Sequence, residues 1–392
     1  MRIYHQCGHY MRWNIDSFQS DQVGDGLIIS PLNCKAERVE ALPVGIRRCS
    51  IFDPQFYLPK SQKGKLATYP FFPATRCEGL ATSDLEKIME HCAEECVRFQ
   101  VDSDFEYVVI PTRYLDALPY NYLQQLDEQI VNPFLEAVRA VGSDKPVLLT
   151  VIAKAIQVTD SDQRDALLNW ITGKDDIDGV YLILENARLT KQIKDADFLA
   201  GALKIIHALK LNDLRVVVGY NSTEGILYSI AGPDAVAMGC FENLRAFSSR
   251  RFDTTRIHSR SPQPRLYSPK LLQWIEYAYI EALRERYSGW ESLFGESPYT
   301  SLMFRPDFAW NSRRPELYRH YFFVFSDQVR TLADPLSERQ RQVEAMVDEA
   351  LGFFDTIQQA GIYPDEDSDG SHLPPWIGAM ENYNRHLKEL GL

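Results

Sequence analysis

Long apolar runs are missing from this chain: no stretch of its 392 residues approaches the ~20 consecutive apolar positions that a membrane-crossing helix needs. The first residues, MRIYHQCGHYMRWNID, lack the apolar core of a secretory leader. Cysteine is scarce and poorly spaced for pairing. The 7 cysteines form no CxxC pair, which predicts reduced thiols in a cytoplasmic protein rather than a disulfide scaffold. No GxxxxGK[ST], GxSxG or HExxH occurs, so the usual signatures of phosphate cradling, elbow-type ester hydrolysis and zinc peptidase chemistry are absent. No metal is expected. His5-x-Cys7-x-His9 alternates too closely for one tetrahedral ion, His91, Cys92 and Cys96 share an apparent helix, and DEDSDG at 365–370 lacks the spacing of an EF-hand. Nothing in the sequence implies a cofactor.

What remains is an ordinary globular composition, 45% hydrophobic and 24% charged, long enough for one large domain with an appendage. The net charge of −12 argues against a protein that coats nucleic acid over its whole surface. The charge is uneven, however. Arg245 to His320 holds 13 basic and 8 acidic residues, a positive island suited to an anionic ligand or to an acidic partner.

Short β-branched runs alternate with helical periodicity through the first two thirds. Eight strands are expected, at 26–30, 48–52, 68–72, 107–110, 147–152, 180–184, 215–219 and 235–239. Helical spacing fills 84–99, 120–141, 161–171, 197–209 and 223–230. Near-continuous apolar strands fit a parallel sheet covered on both faces, and this alternation fits a (β/α)8 TIM-type barrel better than a doubly wound sheet. The domain reading is a barrel over 1–261 and a mainly helical C-terminal extension over 262–392, in which helices are expected at 269–287 and 337–360.

Barrels build their sites at the C-terminal ends of the strands, so the polar residues there are the candidates. Asn33, Lys35, Arg76, Arg113, Lys154, Asn186, Asn221 and Ser222 all fall at such ends. Asp53 is the sharpest, following a strand and preceding a Pro-fixed turn with Gln55, Phe56 and Tyr57 beside it. Glu185 ends a buried strand and is suited to acid–base work or to an ion pair with Lys154 or Arg113. Glu242 and Arg245 follow the last strand, where an Arg is placed to hold a phosphate. Arg250, Arg251 and Arg256 continue the basic loop.

Ser50-Ile-Phe-Asp53-Pro-Gln-Phe56 resembles the strand–Asp–turn–aromatic element of the tRNA-guanine transglycosylase superfamily. Val216 to Ile226, then Ala231 to Val236 and Gly239 to Arg245, is similar in order to that family's late segment. The resemblance spans residues 26–250. It implies cleavage or exchange at a nucleobase N-glycosidic bond by two barrel carboxylates, Asp53 with Glu185 or Glu242. Gln55, Phe56, Tyr57, Arg113, Lys154, Asn186 and Asn221 would contact the substrate, and Arg245, Arg250, Arg251 and Arg256 its phosphates. Pro54-Gln55 replaces the family's paired glycines, the second Asp is at best a Glu, and the cysteine-rich zinc motif is missing. These departures shift the implied partner from tRNA to DNA, favoured over RNA, and the activity to excision of a flipped-out, modified base in anti-phage defence. Base exchange is the alternative within that family. Outside it stand a barrel enzyme for a small phosphorylated metabolite and a non-catalytic protein that binds through the basic loop.

Overall fold

The structure is a computed structural model that describes residues 1–75, 85–186, 191–254 and 263–392. Eight parallel strands follow the order β3-β2-β1-β8-β7-β6-β5-β4. They are β1 (Arg2–Gln6), β2 (Gly26–Ile29), β3 (Ile51–Phe52), β4 (Val108–Ile110), β5 (Val147–Lys154), β6 (Gly179–Glu185), β7 (Arg215–Gly219) and β8 (Ala235–Gly239). Because β1 pairs with β8 from Arg2↔Ala235 to Gln6↔Gly239, the sheet curls into a nearly closed TIM-type barrel with helices outside it. The remaining seam lies between β3 and β4. The Gln100 side chain occupies the edge of β4 that β5 leaves unpaired: its oxygen accepts from the Val109 N–H (2.8 Å), and its amide nitrogen donates to the Val109 carbonyl (3.2 Å). A buried backbone edge therefore keeps its hydrogen bonds.

The barrel interior is filled by tyrosines that face glycines. A Cβ on Gly219 would lie 2.4 Å from the Tyr181 ring, and one on Gly26 would lie 2.9 Å from that of Tyr4. The Tyr181 hydroxyl donates to the Gln6 side-chain oxygen (3.2 Å), so this core is partly polar. At the N-terminal end of the barrel, Arg2 pairs with Glu106, whose carboxylate also accepts from the Tyr4 hydroxyl (2.8 Å).

The outer layer includes α1 (Met11–Ser20), α2 (Leu85–Asp102), α3 (Asn132–Val141), α4 (Ser161–Thr172) and α5 (Ala196–Leu211). Asp195 caps α5 by accepting from the Phe198 N–H (3.0 Å), an interaction worth about 1 kcal/mol. The C-terminal region opens with a hairpin, β9 (Arg265–Ser268) and β10 (Gln273–Glu276), and continues in α6 (Tyr277–Arg286), α7 (Pro315–Arg330), α8 (Leu336–Gln359) and α9 (Leu373–Glu389). No helix among the described residues is long and apolar enough to cross a membrane.

The eightfold count matches the sequence reading, but its membership differs. Residues 68–72 form no strand: they lie between the 3-10 turns Leu66–Thr68 and Pro73–Thr75, and Tyr69 and Phe71 join an aromatic cluster with Phe52 and Phe99. The eighth strand is β1, whose Arg-Ile-Tyr-His-Gln sequence is too polar to stand out. The helix expected from 269 is preceded by the hairpin. The domain boundary expected at 261/262 lies outside the described residues.

Candidate active site

Gln6, Ile28 and Ile51 share one row across β1, β2 and β3, and Gln6 points into the barrel. Asp53, two residues beyond Ile51, projects from the same face at the C-terminal mouth. The turn behind it places Gln55 at φ 58°, a left-handed conformation that folds this residue back onto the carboxylate. Asp53 accepts from the Gln55 N–H (3.2 Å), the Gln55 side-chain amide (3.3 Å) and the Tyr57 hydroxyl (2.9 and 3.0 Å to its two oxygens). Gln55 is itself held: its oxygen accepts from the Ser30 hydroxyl (2.9 Å) and the Leu32 N–H (3.2 Å), and its nitrogen donates to the Tyr220 hydroxyl (3.2 Å). Asp53, Gln55 and Tyr57 are all 0% exposed. Burial pushes the Asp53 carboxyl up to about 6, against the opposing pull of the Tyr57 and Gln55 hydrogen bonds and the more distant Arg251 charge. The same burial drives the Tyr57 phenol well above its usual range.

A second polar group lies at the ends of β4, β5 and β6, where Lys154 and Glu185 are in register. Lys154 Nζ lies 3.3 Å from Glu185 and donates to the Tyr114 hydroxyl (3.2 Å) and the Asp116 carbonyl (2.9 Å). Tyr114 donates to Glu185 in turn (2.7 Å), forming a directed chain from ammonium to phenol to carboxylate. Burial and the Glu185 hydrogen bond raise the Tyr114 phenol, so it keeps its proton. The Tyr114 N–H donates to the Tyr57 carbonyl (2.9 Å), which fixes this group relative to Asp53. Arg113 turns aside to donate to Gln129 (3.2 Å), and Asn186 is partly exposed beside Glu185.

The segment after β8 covers both groups. Phe247 is buried with its ring centroid 5.2 Å from Tyr57, 5.8 Å from Tyr114 and 5.5 Å from Tyr220. Phe252 packs on Tyr57 at 5.0 Å, and its carbonyl accepts from the Ser61 hydroxyl. Arg251 donates to the Asn33 side chain (2.8 Å), the Tyr220 hydroxyl (3.4 Å) and the Asn243 carbonyl (3.5 Å), all neutral groups. Arg250 is exposed, while Arg256, like Arg76 on the earlier loop, lies outside the described residues.

Several expected positions point elsewhere. Arg245 is 6% exposed: it donates to the Gly239 and Cys240 carbonyls (3.2 and 2.7 Å) and lies 3.8 Å over the Trp274 ring. Burial lowers its pKa from the ordinary value. Glu242, at the other end of the same helical turn, is about half exposed and lies 3.6 Å from Lys191. Asn221 is buried and holds backbone, accepting from the Ala237 N–H (3.0 Å). Phe56 lies in the core against Phe71, Phe72 and Phe134. Tyr114, Tyr220 and Phe247 were not among the expected site residues. The signal for Tyr220 was its place directly after the glycine that ends β7. Among the described residues no three His, Cys, Asp or Glu side chains converge as metal ligands.

No family model matches the sequence, and no curated protein matches it. Among solved structures the chain is similar to dihydrodipicolinate synthase from Oceanobacillus iheyensis, at 10% identity over 89% of this chain and 88% of that one, with a TM-score of 0.28. That protein is neither a tRNA-guanine transglycosylase nor a DNA glycosylase. With no family model and no curated relative behind it, the expected membership of the transglycosylase superfamily does not stand, and base excision, base exchange, DNA binding by base flipping and a role in antiviral defence fall with it. In the fold Glu242 is half exposed against Lys191 while Asp53 is fully buried against Tyr57 and Gln55, and Arg245 is turned inward onto backbone carbonyls and Trp274.

Proposed function

We propose that this barrel is an enzyme acting on a small phosphorylated metabolite by general acid–base catalysis, with Asp53 moving the proton. The observation that carries this reading is the Asp53 carboxyl itself, sealed at the end of β3, oriented by Tyr57 and Gln55, and raised to about 6. A base with that pKa is mostly ionised at neutral pH yet basic enough to accept a proton in the transition state, and such positioned groups contribute 10²–10⁴-fold. Buried carboxyls whose pKa is displaced by desolvation and fixed by neighbouring hydrogen bonds cluster at functional sites. Arg251, whose hydrogen-bond partners are neutral, is the cation available at the rim for the phosphate. Glu185, held by Lys154 and Tyr114, would serve as the second proton-handling group. The small-molecule reading fits a mouth at which Phe247 and Phe252 pack directly on Tyr57, the residue that holds Asp53. Six described cysteines, all free thiols, support a cytoplasmic setting.

The test is a panel of sugar phosphates and phosphorylated organic acids, read first by thermal shift and then by turnover. A compound that stabilises both wild type and Asp53→Asn, but is turned over at least 100-fold more slowly by the variant, is the expected result. Full activity in Asp53→Asn would refute the role given to this carboxyl. Binding of duplex DNA with a steep salt dependence, and of no small phosphate, would refute the substrate class.

A further inference from the structure

Phe247 occupies an unusual position. It is an apolar ring inserted where the polar groups of the mouth converge, touching one tyrosine from each of three sides. Tyr57 carries Asp53, Tyr114 carries Lys154 and Glu185, and Tyr220 carries Gln55 and Arg251. A ring there helps seal the fully buried Asp53 group, packs against the partly exposed Tyr114 and the Tyr220 that Arg251 reaches, and fills the space in which a molecule could meet all three. The segment that carries Phe247 is tied down by polar contacts that can exchange: Arg251 to Asn33 and Tyr220, and the Phe252 carbonyl to Ser61. An anion reaching Arg251 would compete for the guanidinium and loosen the segment at the point where it is anchored.

We propose that Phe247 is a gate that rests in the substrate seat, and that the ligand is a small anion about the size of a benzyl group, which displaces the ring and brings its acidic group to Arg251. This rests on the reading of Asp53 as the reacting carboxyl and adds the size, charge and entry route of what it meets. In this closed state the protein binds its ligand more weakly than an open one would, because part of the binding free energy goes into moving Phe247. Removing the ring removes that requirement and leaves a cavity of matching shape, which a small aromatic ligand can refill.

The probe is phenyl phosphate, titrated calorimetrically into wild type, Phe247→Ala, Phe247→Leu, Phe252→Ala and Phe247→Ala/Arg251→Ala. Phe247→Ala is expected to bind at least tenfold more tightly than wild type. The gain should be smaller in Phe247→Leu, absent in Phe252→Ala, and lost when Arg251 is also removed. A folded Phe247→Ala with no gain overturns the gate. So does an equal gain for toluene, which would mark a bare cavity without an anion seat. If neither Phe247 variant folds while Phe252→Ala does, the ring is a core residue and the proposal fails. None of these outcomes depends on turnover, so an inert Asp53 with a working gate, or the reverse, is recognised as such.

Discussion

At the residue scale, the consequence of sealing Asp53 is a pH dependence of opposite sign to that of most carboxylates. Its pKa is about 6 in the fold, against roughly 3.9 in an unfolded chain. Below the unfolded value both states are protonated and nothing is lost. As pH rises from about 4 to 6 the unfolded chain ionises while the fold holds its proton, so stability falls across that window and stays lower above it. Two pKa units correspond to about 3 kcal/mol. Asp53→Asn cannot titrate, so its stability relative to wild type is expected to rise by about that amount between pH 4 and pH 8, as read from urea unfolding at each pH. A constant difference across the range would mean that Asp53 ionises in the fold as easily as in water. This carboxyl was legible in the sequence because a strand, an aspartate and a Pro-initiated turn stand in order. Glu242 and Arg245 were legible as a position but not as directions: within one helical turn the first faces outward to Lys191 and the second inward onto Trp274.

At the element scale, the barrel depends on small residues opposite large ones. A methyl on Gly219 would come within 2.4 Å of a Tyr181 ring that is itself fully buried, so the ring must move and strain its bond to Gln6. Gly219→Ala is expected to cost about 1–3 kcal/mol in urea denaturation, the usual range for overpacking; a neutral effect would show that the interior is looser than its geometry. The same polar, tyrosine-filled interior explains why β1 was invisible in the sequence. Strand recognition relied on continuous apolar runs, and β1 places Tyr4 and Gln6 inward. Conversely, 68–72 read as a strand because aromatics favour pleated surfaces, although the run is a turn-flanked cluster packed on Phe52 and Phe99. Strands β5 to β8, apolar and regular, were legible nearly to the residue.

At the scale of the whole molecule, closure of the mouth by the segment after β8 sets the chemistry inside it. Elements distant in sequence meet there: β3 supplies Asp53, the residues after β4 supply Tyr114, those after β7 supply Tyr220, and the chain beyond β8 supplies Phe247 and Arg251. No local pattern in the sequence announces that convergence, and the positive charge of the basic loop concealed that its apolar residues do the covering. The most direct test is titration of the Asp53 side-chain carboxyl by 13C NMR, with the resonance assigned by its loss in Asp53→Asn. A midpoint near 6 is the expected result, and a midpoint at or below 4 would show a carboxylate that water or a cation reaches freely, contradicting the sealed acid–base site.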